Sequence, residues 1–280
     1  MVERLVKSRI LAKGFGFPEC PRWHEGALWF SDMHTGEVSR LDPADGSVEV
    51  VFRVPGSAAG IGWDAEANVY VVSMTDRAVY QWSGGEPTRF ADMRPISTSR
   101  TNELESDRRG GFFVSNVGYS FTKEAPKPTV LVRLSVDGEL TPVADGLLGP
   151  NGMTVSPDGS ELLVAETPAG RITRFAVEAD GTLSGRETLV QLEDGAYPDG
   201  IDRAADGSLW VSVMGSAEVR HIGRDGATIE RVEASQSAWA CRIGGDGRLY
   251  ICTSSGTDIA DLDRRPGRIE VVDLQVLFHE

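Results

Sequence analysis

Six times along the chain an acidic or glycine-rich turn leads into a short apolar strand, and few architectures accommodate such a repeat. The units are H-E-G-A-L-W-F to Phe30, A-E-A-N-V-Y-V to Val71, R-R-G-G-F-F-V to Val114, D-G-S-E-L-L-V to Val164, A-D-G-S-L-W-V to Val211 and G-D-G-R-L-Y-I to Ile251. Their penultimate residues, Trp29, Tyr70, Phe113, Leu163, Trp210 and Tyr250, fall 40 to 50 residues apart. Short strands at that period predict the blades of a propeller, because one small sheet cannot bury both faces alone and must stack on its neighbours. The expected fold is therefore all-β, a six-bladed β-propeller forming one domain over residues 1–280.

About 10 to 12 residues before each marker stand Glu19, Ala59, Asn102, Asn151, Asp199 and Trp239. Ala59-Gly60-Ile61, Asn151-Gly152-Met153 and Asp199-Gly200-Ile201 share a Gly-apolar step that supports this alignment. In a propeller the innermost strand of every blade borders the central channel, so equivalent positions on it converge. Four of the six, Glu19, Asn102, Asn151 and Asp199, carry oxygen donors. Two carboxylates facing one channel repel each other unless a cation lies between them. The set therefore predicts a central site for one divalent cation, Ca²⁺ by its oxygen-only donors, with Mg²⁺, Mn²⁺ and Zn²⁺ as alternatives. Ala59 and Trp239 interrupt the ring and would leave a partly apolar side through which a substrate reaches the ion.

A formal charge of -14 without a Lys/Arg cluster argues against nucleic acid or an anionic membrane as partner. Charges interrupt every apolar stretch of the N-terminus, and no run approaches 18 apolar residues, so a cytoplasmic protein is expected. The three cysteines, Cys20, Cys241 and Cys252, lack metal-site spacing and read as buried free thiols, with Cys20 and Cys241 at matching places in the first and last blades.

Strands are expected at V-S-R-L-D, A-V-Y-Q-W, V-L-V-R-L, R-I-T-R-F-A-V and E-V-R-H-I, each closed by a glycine turn such as Asp180-Gly181 or Asp225-Gly226. Those aspartates read as turn chemistry. Val6 to Ala12 and Gly267 to Leu274 would pair to close the ring in one blade. The mixed loop from Asn116 to Pro128 would cover the channel mouth, with Tyr119 or Phe121 near substrate, or else be an ordinary variable loop. His24, in the first repeat turn, is expected to be exposed.

Arg100 lies two residues before Asn102, so on an extended strand their side chains share a face. Its forked guanidinium suits an oxygen-rich substrate. Glu103 would point away from the ion unless a kink returned it. No H-x-x-x-H, G-x-S-x-G or G-x-x-x-x-G-K-[ST] pattern offers a rival site.

F-P-E-C-P-R-W around Glu19, S-R-T-N-E around Arg100 and Asn102, G-P-N-G-M-T-V-S-P-D-G around Asn151 and Y-P-D-G-I-D around Asp199 resemble the senescence marker protein/gluconolactonase/luciferin-regenerating enzyme family, in order and over almost the whole chain. The resemblance implies one catalytic divalent metal held at Glu19, Asn151 and Asp199, with Asn102 as a further ligand or a substrate contact. It also implies substrate contact at Arg100 and hydrolysis of sugar lactones, with organophosphate hydrolysis in a related branch. Thr101 and Glu103 depart from the family pattern beside the expected pocket, which bears on substrate identity. The implied reaction is lactone opening by metal-assisted water attack, with Asp199 as base and Arg100, Asn102 and Glu103 as substrate contacts. The alternatives are hydrolysis of organophosphates or other esters at the same site, and a metal-stabilised binding propeller without turnover. The sequence leaves the oligomeric state open.

Overall fold

The structure, a computed structural model, describes residues 4–120, 124–256 and 265–274. Among the described residues 25 strands, β1 to β25 in chain order, form six sheets, antiparallel but for one pairing, and the remaining regular element is a 3-10 turn at Thr167–Ala169. The first strand of each repeat is β3 (Pro18–His24), β7 (Ala58–Trp63), β11 (Thr101–Ser106), β15 (Pro150–Val155), β19 (Pro198–Arg203) and β23 (Ala238–Ile243). Each touches the next, and β23 touches β3, so the six close a ring around the channel. All-β and six-bladed is what the repeat predicted.

The marker residues fall on the second strand of each blade and are buried, Trp210 and Tyr250 among the largest fully enclosed side chains. They are the apolar filling between neighbouring sheets. The turn aspartates do what turn chemistry requires: Asp180 Oδ1 accepts the Thr182 N–H at 3.0 Å, while Gly181 takes φ 84, which costs glycine little.

The two ends of the chain do meet. Strand β2 (Arg9–Phe15) pairs antiparallel with β25 (Gly267–Asp273) in the sixth blade. The expected partner segment is nevertheless split, because β1 (Arg4–Lys7), which contains Val6, leaves that blade. It runs parallel to β22 (Thr228–Glu233) as a fifth strand of the fifth blade. The short turn at Ser8 between β1 and β2 lets one terminal segment tie two blades together.

Glu270 fixes this seam. Its carboxylate accepts Ser8 Oγ at 2.5 Å, Ser235 N–H at 3.0 Å, Ser235 Oγ at 2.5 Å and Thr253 Oγ1 at 2.9 Å. Burial pushes its pKa up, but the hydrogen bonds outweigh burial and leave it below the ordinary value. A carboxyl whose folded pKa is depressed stabilises the fold above its unfolded pKa, about 4.3, and that contribution disappears as pH falls through the folded pKa. Glu270→Gln is therefore expected to cost about 2 kcal/mol at neutral pH. In urea unfolding the difference from the parent protein should begin to shrink as pH falls below about 4.3 and vanish once pH lies below the lowered folded pKa. A gap of unchanged size at acid pH would show that the seam does not depend on the charge.

Candidate metal centre

All six inner strands share one irregularity. Their pairing slips between Glu19 and Arg22, Ala58 and Ile61, Thr101 and Leu104, Pro150 and Met153, Pro198 and Ile201, and Ala238 and Ala240. These are bulges, which break the alternation of faces and re-aim side chains. Each sits at the aligned position read from the repeat, so Glu19, Ala59, Asn102, Asn151, Asp199 and Trp239 lie at one level of the channel.

Glu19 and Asp199 are buried, and the asparagines between them are partly so. Asn102 Nδ2 donates to Asn151 Oδ1 at 3.0 Å, and Asn151 Nδ2 donates to Thr167 Oγ1 at 3.2 Å and to Asp199 Oδ1. Glu19 Oε2 accepts the Cys20 N–H at 2.8 Å. Burial raises the Glu19 pKa well above the ordinary range, and the negative charges of Asp199 and Glu103 add to it. Asp199 is raised likewise, by burial and then by Glu103. Acidic oxygens are thus gathered with less positive charge than they call for. In this structure the Asn151 carboxamide N–H supplies the positive end that Asp199 meets. The donor set, oxygen-rich, buried and short of cations, fits a hard divalent ion.

The bulge on β11 is the kink that returns Glu103. Its carboxylate lies in one cluster with Glu19 and Cys20, whose ligand atoms are all within 4.8 Å of one another. Cys20 donates its thiol to Glu103, and Arg22 Nη2 holds Glu103 Oε2 at 2.9 Å and the Leu104 carbonyl at 2.8 Å. The sequence reading took Cys20 only for a buried free thiol and did not single out Arg22. The cue was the E-C-P-R-W run itself, since a bulge directly after Glu19 brings the next residue to the channel.

Other expectations fare unevenly. Arg100 is exposed and stands just before β11, so strand alternation does not govern its direction. Its carbonyl accepts Val117 N–H at 2.9 Å, and its guanidinium has no hydrogen bond or ion pair to a described residue. Thr101 is wholly buried, its Oγ1 without a hydrogen-bond partner, so it does not line an open pocket. Ala59 packs into an apolar cluster with Cys20, Met74 and Leu104 and opens no gap. Trp239 is half-buried beside Phe17, with ring centroids 5.0 Å apart, and keeps an apolar wall at this level. Tyr119 is buried, and Phe121 lies outside the described residues. His24 is not a free surface ring, because it stacks on Trp63 at 4.3 Å and 13°. The three cysteines are free and buried, and Cys241 Sγ faces the Gly200 carbonyl at 3.8 Å.

With this geometry in place, the profile described as SMP-30/Gluconolactonase/LRE-like region matches residues 17–255. The chain belongs to that family. Among curated relatives of this SMP-30/gluconolactonase/LRE-like protein, a pentonolactonase of Haloferax volcanii is 26% identical over 264 residues, covering 90% of this chain and 86% of the relative. A 6-deoxy-6-sulfogluconolactonase of Pseudomonas putida is 24% identical over 257 residues, covering 87% and 86%. The calcium-binding protein regucalcin of Agrobacterium tumefaciens superposes with a TM-score of 0.80 at 19% identity, over 97% of this chain and 95% of that one. That likeness shows the shared propeller fold. No helix among the described residues is long and apolar enough to cross a membrane.

Proposed function

We propose that this family member hydrolyses the lactone of a polyhydroxy acid at the end of the channel bearing Glu19, Asn102, Asn151 and Asp199, with one divalent cation, Ca²⁺ by donor type, held by those four residues. The observation that carries this reading is the pair of buried carboxylates, Glu19 and Asp199, set by bulges on inner strands separated in the ring by β23 alone, with no arginine or lysine hydrogen-bonded to either among the described residues. The names of the two curated relatives, both lactonases of sugar acids, support the substrate class. A cation bound there supplies Lewis-acid polarisation of the lactone carbonyl.

The chain's own groups supply the rest. Asp199 accepts the proton of the attacking water and Asn151 fixes the direction of its carboxylate. Glu103 is pinned from behind by Arg22 and from the main chain by the Ser115 hydroxyl, which accepts its N–H at 3.0 Å. A fixed carboxylate next to the water's place orients substrate hydroxyls, while the unengaged Arg100 at the rim closes on the ring oxygens or the carbonyl side.

A pH-indicator screen of aldonolactones, aliphatic lactones and an organophosphate against Ca²⁺, Mg²⁺, Mn²⁺ and Zn²⁺ tests the reading. Turnover of an aldonolactone that stops on chelation and returns with one of these ions is the expected result. Cation-dependent hydrolysis confined to the organophosphate would transfer the site to phosphoesters, and no turnover of any substrate would make it a binding propeller.

A further inference from the structure

The inner strands all run the same way, so their far ends surround the other mouth of the channel. There a cavity of about 520 Å³ is lined by Trp23, Trp63, Glu105, Arg108 and Arg242, among others. A second hollow of about 440 Å³ adjoins it and shares Arg108, Asp202, Arg203 and Arg242. Volumes of this order hold small organic ligands. Glu105 lies two residues beyond Glu103 on β11, about 7 Å along the strand at 3.3 to 3.4 Å per residue, and Arg22 Nη2 stands between their carboxylates, 2.9 Å from Glu103 Oε2 and 3.5 Å from Glu105 Oε2.

The polar groups of this mouth are incompletely satisfied. Glu105 is 5% exposed, and its Oε2 has no hydrogen bond although Arg22 Nη2 stands at 3.5 Å and Arg242 Nη2 at 3.6 Å. Arg242 Nη2 is also buried without a hydrogen-bond partner, while the rest of that guanidinium is spent on Asp202 Oδ1 at 3.0 Å and the Pro21 carbonyl at 3.1 Å. Neither the Trp23 indole N–H nor the Arg108 guanidinium has a hydrogen-bond partner among the described residues. Glu105 and Arg242 attract each other as an ion pair, but buried polar atoms left without hydrogen bonds are costly, so the arrangement calls for a polar occupant.

The inventory states what that occupant must present. One hydroxyl can donate to Glu105 Oε2 while accepting from Arg242 Nη2, filling both vacancies at once. The remaining free groups, Trp23 Nε1 and the Arg108 fork, are donors and need acceptors. Arg108 is a cationic fork shaped for a carboxylate. The walls are flat and aromatic: Trp63 is backed by His24, and glycine at 245 lets the Trp23 indole approach, since a Cβ there would stand 2.7 Å from Nε1. We propose that this mouth is a second, non-catalytic site that binds a polyhydroxy carboxylate, through a hydroxyl bridging Glu105 and Arg242 and a carboxylate on Arg108. A lone water would satisfy the first pair but has no use for Arg108. On a chain of charge -14, a rim arginine without an acidic partner is what gives an anion a local foothold.

Sodium gluconate is the probe, with sorbitol and acetate as its two halves, titrated by calorimetry and tryptophan fluorescence into the full-length protein. Asp199→Asn disables the first mouth, and Arg108→Asn removes the fork at a position where φ is 60, which asparagine tolerates. Gluconate should bind the parent protein and Asp199→Asn equally, and about tenfold more weakly to Arg108→Asn, while sorbitol binding stays unchanged. Arg108→Lys should recover part of the loss. Absence of saturable gluconate binding overturns the proposal, as does binding lost in Asp199→Asn but kept in Arg108→Asn. The result is independent of lactone turnover: a protein without lactonase activity could still pass, and an active lactonase could still fail.

Discussion

Glu19→Gln/Asp199→Asn is expected to lose cation-dependent lactone hydrolysis by at least about a thousandfold in kcat/KM, while the chelated protein melts a few degrees higher than its parent. The two effects have one cause. Glu19 and Asp199 are carboxylates that the fold has withdrawn from water and placed within each other's field. Without a cation they oppose folding, and neutral amides of nearly the same shape relieve that cost. With a cation they are its anionic ligands, and amides bind it far more weakly. Melting curves with and without added Ca²⁺ after chelation should therefore cross: the parent protein gains stability from the ion and the variant does not. Hydrolysis retained in a folded variant would remove the metal-centred reading. An equal Ca²⁺ gain in both proteins would place the ion elsewhere.

The blade repeat was legible because each second strand must present a bulky apolar residue to the next sheet, and that need recurs in Trp29, Tyr70, Phe113, Leu163, Trp210 and Tyr250. The ring at Glu19, Asn102, Asn151 and Asp199 was legible for the same reason, as one position met six times. What escaped was the residue after it. That second ring reads Cys20, Gly60, Glu103, Gly152, Gly200 and Ala240. Strand alternation assigns it to the opposite face, and only the bulges, which leave no mark in hydrophobic period, bring it to the channel wall. Four of its members are small. The two that are not, Cys20 and Glu103, meet each other through the thiol hydrogen bond. The lower mouth was not read from the sequence although part of it repeats: Trp23 and Trp63 each pair with the residue before a marker, and Arg242 pairs with the marker Tyr250 as Arg22 does with Trp29, but the residue types at these positions change from blade to blade. β1 likewise gave no sign of its parallel partner, because four residues carry too little pattern to name one.

The small residues of that second ring have a mechanical purpose, and Gly152 tests it. A Cβ at Gly152 would run into the Asp199 carbonyl oxygen, stand 2.7 Å from Ile201 N and 2.8 Å from Gly200 Cα, all main chain of β19. No side chain can swing aside to relieve this, so Gly152→Ala must push β15 away from β19. The same geometry recurs one seam on, where a Cβ at Gly200 would stand 2.5 Å from Ala240 Cα. The glycines are there to let neighbouring inner strands approach, which is the meaning of the Gly-apolar step in the repeat. Gly152→Ala is expected to cost about 3 kcal/mol in denaturant unfolding. Because the displaced strands carry Asn151 and Asp199, it should also break the Asn151–Asp199 hydrogen bond and weaken Ca²⁺ stabilisation and hydrolysis together, although no donor has been removed. Gly195→Asn is the control: it sits at φ 87 with nothing within 4 Å of the added Cβ, so only the backbone strain that asparagine tolerates best is left, and it should cost no more than about 1 kcal/mol. If Gly152→Ala were as mild as the control, the inner strands would have slack, and the closeness of Asn151 to Asp199 would not depend on the glycine seam.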